Sequence, residues 1–201
     1  MTDPLHGVSR ETVEKLEILV DLLRRWQARI NLVGPSTVDD IWARHISDSL
    51  TLFRVCPTAA QWVDMGSGAG FPGLVMAICL AETGGHVDLI ESNGKKAAFL
   101  RAAVQETGAA GTIHAERIES VRDRLARPDF ISARALAPLT VLLDLSEPWL
   151  VNGATAFFHK GRDYERELET ARDRWAFDLV EHRTDSGSES VLLEIGGLRR
   201  R

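Results

Sequence analysis

The chain has 201 residues, 24 Lys+Arg against 29 Asp+Glu, a net charge of −5 and a hydrophobic fraction of 44%. This is the size of one ordinary domain, with or without a small appendage, and the composition excludes a disordered or collagen-like chain. The acidic balance excludes a general nucleic-acid coat held by bulk charge and leaves room for a local basic site. Cys56 and Cys79 lie in apolar settings without CxxC spacing or a nearby histidine, so neither a zinc or other metal site nor a disulfide is expected. The opening MTDPLHGVSRE has no basic-then-apolar leader pattern, and no apolar run approaches the roughly 18–20 residues of a bilayer span. The reading is a soluble, cytoplasmic protein that avoids membranes.

From Thr12 to Asn31, Val13, Leu16, Val20, Leu23, Trp26 and Ile30 recur at steps of three and four, the period of one helix face. Ser9, with Glu11 and Glu14 following, is placed to open that helix. Gly34-Pro35-Ser36 breaks the pattern, and a second helical stretch carries Ile41, Trp42, Ile46, Leu50 and Phe53 up to Pro57. Residues 1–58 read as a helical extension, and residues 59–201 have a different texture. Short β-prone runs are expected at Gln61–Met65, His86–Ile90, Gly111–Ala115, Asp129–Ala133, Ala154–His159, Trp175–Glu181 and Ser190–Ile195. Helical runs lie between them at Pro72–Glu82, Lys95–Thr107, Arg117–Arg124, Pro138–Leu150 and Asp163–Arg174. Such alternation implies a seven-stranded, mostly parallel sheet covered on both faces. The last two strands, joined through Thr184–Ser188, are too close for a crossover and should form an antiparallel edge hairpin. The chain closes on an Arg199-Arg200-Arg201 tail.

The segment Asp64-Met65-Gly66-Ser67-Gly68-Ala69-Gly70-Phe71-Pro72-Gly73 follows the first strand and opens a helix, the place where a doubly wound fold binds its cofactor. Its glycines remove Cβ atoms that would keep a ligand from the backbone. Gly68 to Gly73 also fits the dinucleotide fingerprint G-x-G-x-x-G. A carboxylate at Asp64 repels pyrophosphate and suits a ligand carrying an ammonium and a sulfonium, which favours S-adenosylmethionine.

The second strand ends at Glu91, where a carboxylate accepts hydrogen bonds from ribose hydroxyls in either cofactor. After the third strand, Ile118 is placed to hold an adenine ring. Glu116 and Glu119 read equally well as adenosine neighbours and as first-turn acids of the next helix. The fourth strand leads into Arg134, a charged residue facing the transferred group or held in a structural salt bridge. The segment lacks the Asp/Asn-Pro-Pro-aromatic run of exocyclic-amine methylases, and neither cysteine is placed as the thiolate that carbon-5 cytosine methylation needs.

Five segments in order resemble the bacterial ribosomal RNA small-subunit methyltransferase G family, also called glucose-inhibited division protein B. They are Trp26-x-x-x-Ile30-Asn31-Leu32, Arg44-His45-Ile46-x-Asp48-Ser49-Leu50, the Asp64–Gly73 turn, Glu91-Ser92-x-x-Lys95-Lys96 and Ser132-Ala133-Arg134-Ala135. The resemblance covers Trp26 to Gly161, with one departure: the family often has Ser-Arg-Ala directly after the fourth strand. It implies a Rossmann-like class I S-adenosylmethionine-dependent methyltransferase fold and methylation of N7 of a guanine in the 530 loop of 16S rRNA, releasing S-adenosylhomocysteine. It also implies that Gly66 and Phe71 contact the cofactor, that Ile118 and Glu119 lie beside its adenosine, and that Arg134 closes the site near the methyl as its catalytic residue. Gly68 and Gly70 complete the cofactor turn. The expected partner is 16S rRNA within the small ribosomal subunit, met by a monomer.

Guanine N7 has an in-plane lone pair and no proton to lose, which agrees with the lack of an acid/base pair in the sequence. For RNA contact the candidates are Arg24, Arg25, Arg29, Arg44 and His45, on a helical face that borders either the RNA entry or the catalytic domain. Lys95 opens a helix, where a cation opposes the dipole and is poised to meet an anion. Lys160 holds phosphate or solvates a loop. A small-molecule methyltransferase, a nicotinamide oxidoreductase and a non-catalytic RNA-binding module remain alternatives; the oxidoreductase leaves Asp64 and the N-terminal helices without a role.

Overall fold

Ser9 opens the first helix: its hydroxyl accepts the Thr12 amide at 3.1 Å, satisfying one of the donors a helix start leaves unpaired. A computed structural model of the chain describes residues 5–184 and 190–201. This helix, α1, runs Arg10–Gln27 and buries Leu16, Leu19, Val20, Leu22 and Leu23. Each fully buried leucine contributes roughly 1.5–3 kcal/mol, enough for this one face to dock the helix. The helix stops short of the expected Asn31 because Gln27 turns the chain. Its amide oxygen accepts from Leu32 and Val33 at 2.9 and 3.1 Å, and its amide nitrogen donates to the Val33 carbonyl at 3.0 Å. A short 3-10 turn, Pro35–Thr37, and a π-helical turn, Trp42–Ile46, lead into α2, Ser47–Val55. Such π turns concentrate at functional sites, and this one carries Arg44 and His45.

Seven strands follow: β1 Gln61–Met65, β2 His86–Ile90, β3 Gly111–His114, β4 Phe130–Arg134, β5 Thr155–Lys160, β6 Trp175–Arg183 and β7 Val191–Arg200. The helices among them are α3 Gly73–Leu80, α4 Gly94–Thr107, α5 Ile118–Val121, α6 Leu139–Leu150 and α7 Tyr164–Arg172. One sheet forms in the order β3-β2-β1-β4-β5-β7-β6, with β1 to β5 parallel and β7 antiparallel to both β5 and β6. The fold is that of a Rossmann-like class I methyltransferase, with the expected hairpin at one edge. Asp185 to Ser188 of its expected connection lie outside the described residues. Since β1 pairs with β2 on one side and β4 on the other, the chain changes direction there, which opens a crevice beyond the carboxyl ends of these strands.

Alternate strand residues face opposite layers. Trp62 packs with Phe130 and Phe157, ring centroids 4.8 and 5.7 Å away, in the same core as the apolar faces of α1 to α4. Val63, Met65, Ile131 and Phe158 pack with α6 and α7 on the other face. The terminal arginines do not form a loose tail. Arg199 and Arg200 belong to β7 opposite Ala176 and Trp175, and Arg200 lies 5.1 Å over the Trp175 ring while forking onto Glu147 at 2.9 Å. Their signal was hidden because a basic run on an edge strand looks like a solvated terminus. Both cysteines are buried free thiols, and no helix among the described residues is long and apolar enough to cross a membrane.

Candidate active site

The turn after β1 is built by three glycines in the left-handed region: Gly66 at φ +67°, Gly68 at +57° and Gly70 at +91°. The Ser67 amide donates to the Ile90 carbonyl at 3.0 Å and the Gly68 amide to Glu91 Oε2 at 2.9 Å, tying the turn to the end of β2. Glu91 Oε1 accepts the Asn93 amide at 2.7 Å, and Asn93 in turn caps α4. Each carboxylate oxygen keeps a further lone pair for a ligand.

Above the turn lies a cavity of about 550 Å³, within the roughly 300–1,000 Å³ of cofactor sites. Gly66, Gly68, Phe71, Glu91, Ile118, Glu119, Arg134 and His45 all border it. Sequence-distant candidates are thus brought to one crevice. Its second wall, Leu136, Ala137, Val141 and Leu145, carries no sequence signal beyond an ordinary amphipathic helix and was missed. Leu32, Val33 and Gly34 line it because Gln27 folds that loop inward. Lys96 borders the cavity where Lys95 does not; neighbouring helical residues point about 100° apart, and that rotation was the available signal.

Asp64 and Gly70 do not border the cavity. Asp64 is 1% exposed, and its Oδ1 accepts the Ser132 hydroxyl at 2.6 Å beneath the turn. Burial pushes its carboxyl up to about 6, opposed by the Ser132 hydrogen bond. A carboxylate expected to face a ligand's charges therefore supports the turn from behind. Gly73 lets it do so, because a Cβ there would stand 2.4 Å from the Asp64 side chain. Gly70 is needed for packing, as its Cβ would meet Leu74 at 2.8 Å.

Arg134 closes β4. Its Nη2 donates to the Arg44 carbonyl at 2.8 Å and lies 3.1 Å from Asp48 Oδ2. The salt-bridge and site-facing readings of this residue both describe it. His159 sits behind, its Nε2 donating to the Asp48 carbonyl at 3.0 Å; burial, then Arg134, pushes its pKa down to about 4. His45 stacks on Phe71, centroids 4.9 Å apart and planes 15° from parallel. Thr37 donates its hydroxyl proton to Gly34 at 2.8 Å, so its oxygen accepts from His45 Nε2–H at 3.1 Å and Nδ1 carries no proton. Burial, with Arg134 and Arg44 nearby, lowers the His45 pKa to about 4.

The remaining RNA candidates scatter. Arg24 lies 3.7 Å from Asp21 and Arg25 is paired with Glu106 at 3.0 Å, while Arg29, Arg44 and Lys95 are exposed. Lys160 is neither phosphate-facing nor solvated. Its Nζ donates to the Ala137 carbonyl at 3.0 Å and pairs with Glu167 at 2.6 Å, with the side chain 9% exposed, because α7 closes over the end of β5. Glu116, paired with Arg124, and Glu119, the first-turn acid of α5, both border the cavity.

The model of the GidB family, described as rRNA small subunit methyltransferase G, matches residues 12–190. The chain is similar to a ribosomal RNA small subunit methyltransferase G from Rhizobium meliloti (strain 1021), with 53% identity over 100% of this chain and 97% of that one. A protein of the same name from Rhizobium rhizogenes (strain K84 / ATCC BAA-868) is 54% identical over 96% of each chain. Among solved structures, an O-methyltransferase from Bacillus cereus in complex with SAH gives a TM-score of 0.60 at 12% identity, covering 96% of this chain and 93% of that one. That likeness shows the fold.

Proposed function

The chain belongs to the GidB family, rRNA small subunit methyltransferase G, and we propose that it methylates N7 of a guanine in the 530 loop of 16S rRNA. It is an S-adenosylmethionine-dependent rRNA methyltransferase. The observation that carries the reading is the convergence of the glycine turn, Glu91, Ile118 and Arg134 on one cavity beyond the ends of β1, β2 and β4.

The residues fit the methyl donor. A Cβ at Gly68 would meet nothing closer than 3.7 Å, so the turn leaves open space over its backbone, and Glu91 keeps acceptor capacity at the cavity wall. Gly66, Gly68, Phe71, Glu91, Ile118, Glu119 and Arg134 hold the cofactor, with Asp64 and Gly70 bracing the turn from behind. Bound there, S-adenosylmethionine supplies an electrophilic methyl on a sulfonium and leaves as S-adenosylhomocysteine. The protein's task is to align the base with that methyl, since N7 offers its lone pair without losing a proton. Arg134, fixed by Asp48 and the Arg44 carbonyl, closes the methyl end of the site. His45 borders the same end as a neutral ring, so it adds no repulsion to a purine gaining positive charge.

Residues 1–58 act as a helical extension of the methyltransferase domain, 59–201, and contribute Leu32, Val33, Gly34 and His45 to the cavity. The reaction takes place in the cytoplasm, on 16S rRNA within the small ribosomal subunit, with one chain acting alone. Incubation with labelled S-adenosylmethionine and undermethylated small subunits, followed by mapping of the labelled nucleotide, tests the proposal. Label on an exocyclic nitrogen or a carbon sinks the N7 chemistry, and activity on a metabolite without rRNA favours the small-molecule reading.

A further inference from the structure

Beside the cavity runs a second depression of about 730 Å³ between α1 and α4, bordered by Arg25, Trp26, Arg29, Ile30, Lys95 and Glu106. Two stretches of chain link it to the cavity. Ile30 on the groove lies two residues from Leu32 on the cavity, and Lys95 on the groove is followed by Lys96 on the cavity. Charge is graded along this track. At the far end Arg25 is neutralised by Glu106 at 3.0 Å. Towards the cavity, the cations of Arg29 and Lys95 have no ion pair or hydrogen bond among the described residues.

Lys95 and Lys96 stand in the first turn of α4, whose amides Asn93 already caps at 3.0 and 3.2 Å. The helix dipole disfavours cations there, a cost that an incoming anion offsets. Trp26 lies in the groove among these cations, its ring held edge-on by Phe99 at 5.8 Å between centroids. A fixed aromatic surface lining the same groove as two unpaired cations matches a strand of phosphates and flat bases.

We infer that this groove seats the single-stranded RNA segment flanking the target nucleotide, with phosphates on Arg29 and Lys95 and a base against Trp26. The inference rests on the rRNA methyltransferase reading and gives that enzyme a second contact outside its cavity. It also selects among the basic residues of the extension: Arg29 and Lys95 carry the track, while Arg25 marks its end.

The test uses the full chain with undermethylated small ribosomal subunits and S-adenosylhomocysteine. Arg29→Gln/Lys95→Gln should bind at least about tenfold more weakly near physiological salt, with the log–log salt slope smaller by about 1.4–1.8. Its S-adenosylmethionine affinity, measured by calorimetry, should equal that of the wild type, which shows the variant folded. Arg172→Gln/Arg183→Gln removes the same charge from exposed positions on α7 and β6 and should bind as the wild type does. A photoreactive amino acid at Ala98, which lines the groove, should capture rRNA. Unchanged affinity and slope in the groove variant, an equal loss in the control, or capture of a ribosomal protein instead of rRNA each overturns the track. If the wild type labels rRNA while the groove variant binds normally, only the track fails. If the wild type transfers no label to rRNA, the functional reading fails and takes the track with it.

Discussion

The Arg134 guanidinium lies 3.1 Å from the Asp48 carboxylate, so the end of β4 is fastened to the helical extension that precedes the sheet. The Asp48 side chain is 4% exposed and that of Arg134 20%. Neither charge is well solvated, and each compensates the other. Removing one partner of such a pair costs more than the pair contributes, because the remaining charge is stranded. Asp48→Ala should lower stability by about 3–5 kcal/mol in urea unfolding and weaken S-adenosylmethionine binding through the displaced Arg134. A loss below about 1 kcal/mol would place the pair with exposed ion pairs instead.

The histidines around this pair make stability depend on pH. Burial and Arg134 hold His45 and His159 at about 4, against 6.5 unfolded. Between these values the unfolded chain binds more protons, so stability falls as pH drops from about 6.5 towards 4. Asp64 runs the other way: its carboxyl sits at about 6 against 3.8 unfolded, so its contribution is lost as pH rises through that window. Two histidines outweigh one carboxylate, and stability should rise between about pH 4.5 and 6 in urea titrations. His45→Gln leaves one against one and should flatten the profile. An unchanged slope in that variant would assign the dependence to other groups.

Two glycines of the turn separate stability from binding. A Cβ at Gly73 would stand 2.4 Å from the Asp64 side chain at the sheet face, where nothing gives way cheaply. Gly73→Ala should therefore destabilise by about 1–3 kcal/mol or more, as overpacking does. Gly68 has φ +57° and open space, so Gly68→Ala should cost about 1–3 kcal/mol for its backbone conformation alone. Its methyl enters the cavity, however, and S-adenosylmethionine affinity should fall at least tenfold by calorimetry, roughly 1.4 kcal/mol or more. Retained affinity in Gly68→Ala would remove the turn from the binding surface.

The features legible in the sequence were local ones. β1 and β2 run over the expected residues because a buried parallel strand is a short apolar run between turn signals, and Ser9 caps α1 because capping needs only a few neighbours. β7 extends beyond the expected Ile195 because its pairing with β6, irregular between Ala176 and Asp178, continues past Gly196 and Gly197 to Arg200. Glu91, Ile118 and Arg134 could be placed at the cavity since the topology gathers strand ends on one side of the sheet. Which way a side chain turns at such an end was not legible. Asp64 turned under the glycine loop and Lys160 towards Glu167, each choice set by a partner on a distant element. The Asp48–Arg134 pair has no sequence signature at all, since neither residue's neighbours indicate the other.

The chemistry assigned to the cavity constrains how the rate depends on pH. Attack by guanine N7 on a sulfonium methyl moves no proton, so no side chain has to gain or lose one in the transferring step. His45 is the one histidine bordering the cavity among the described residues, and no cysteine or tyrosine borders it. With its pKa lowered to about 4, His45 stays neutral across the neutral range. Single-turnover transfer from labelled S-adenosylmethionine to undermethylated small subunits should thus be flat from about pH 6.5 to 8.5, whereas a general base in that range gives up to a tenfold change per unit below its pKa. His45→Gln, which removes the Phe71 stack, should leave the profile flat. A rate rising tenfold per pH unit in the wild type, and flattened in His45→Gln, would make His45 a base and refute direct displacement at N7.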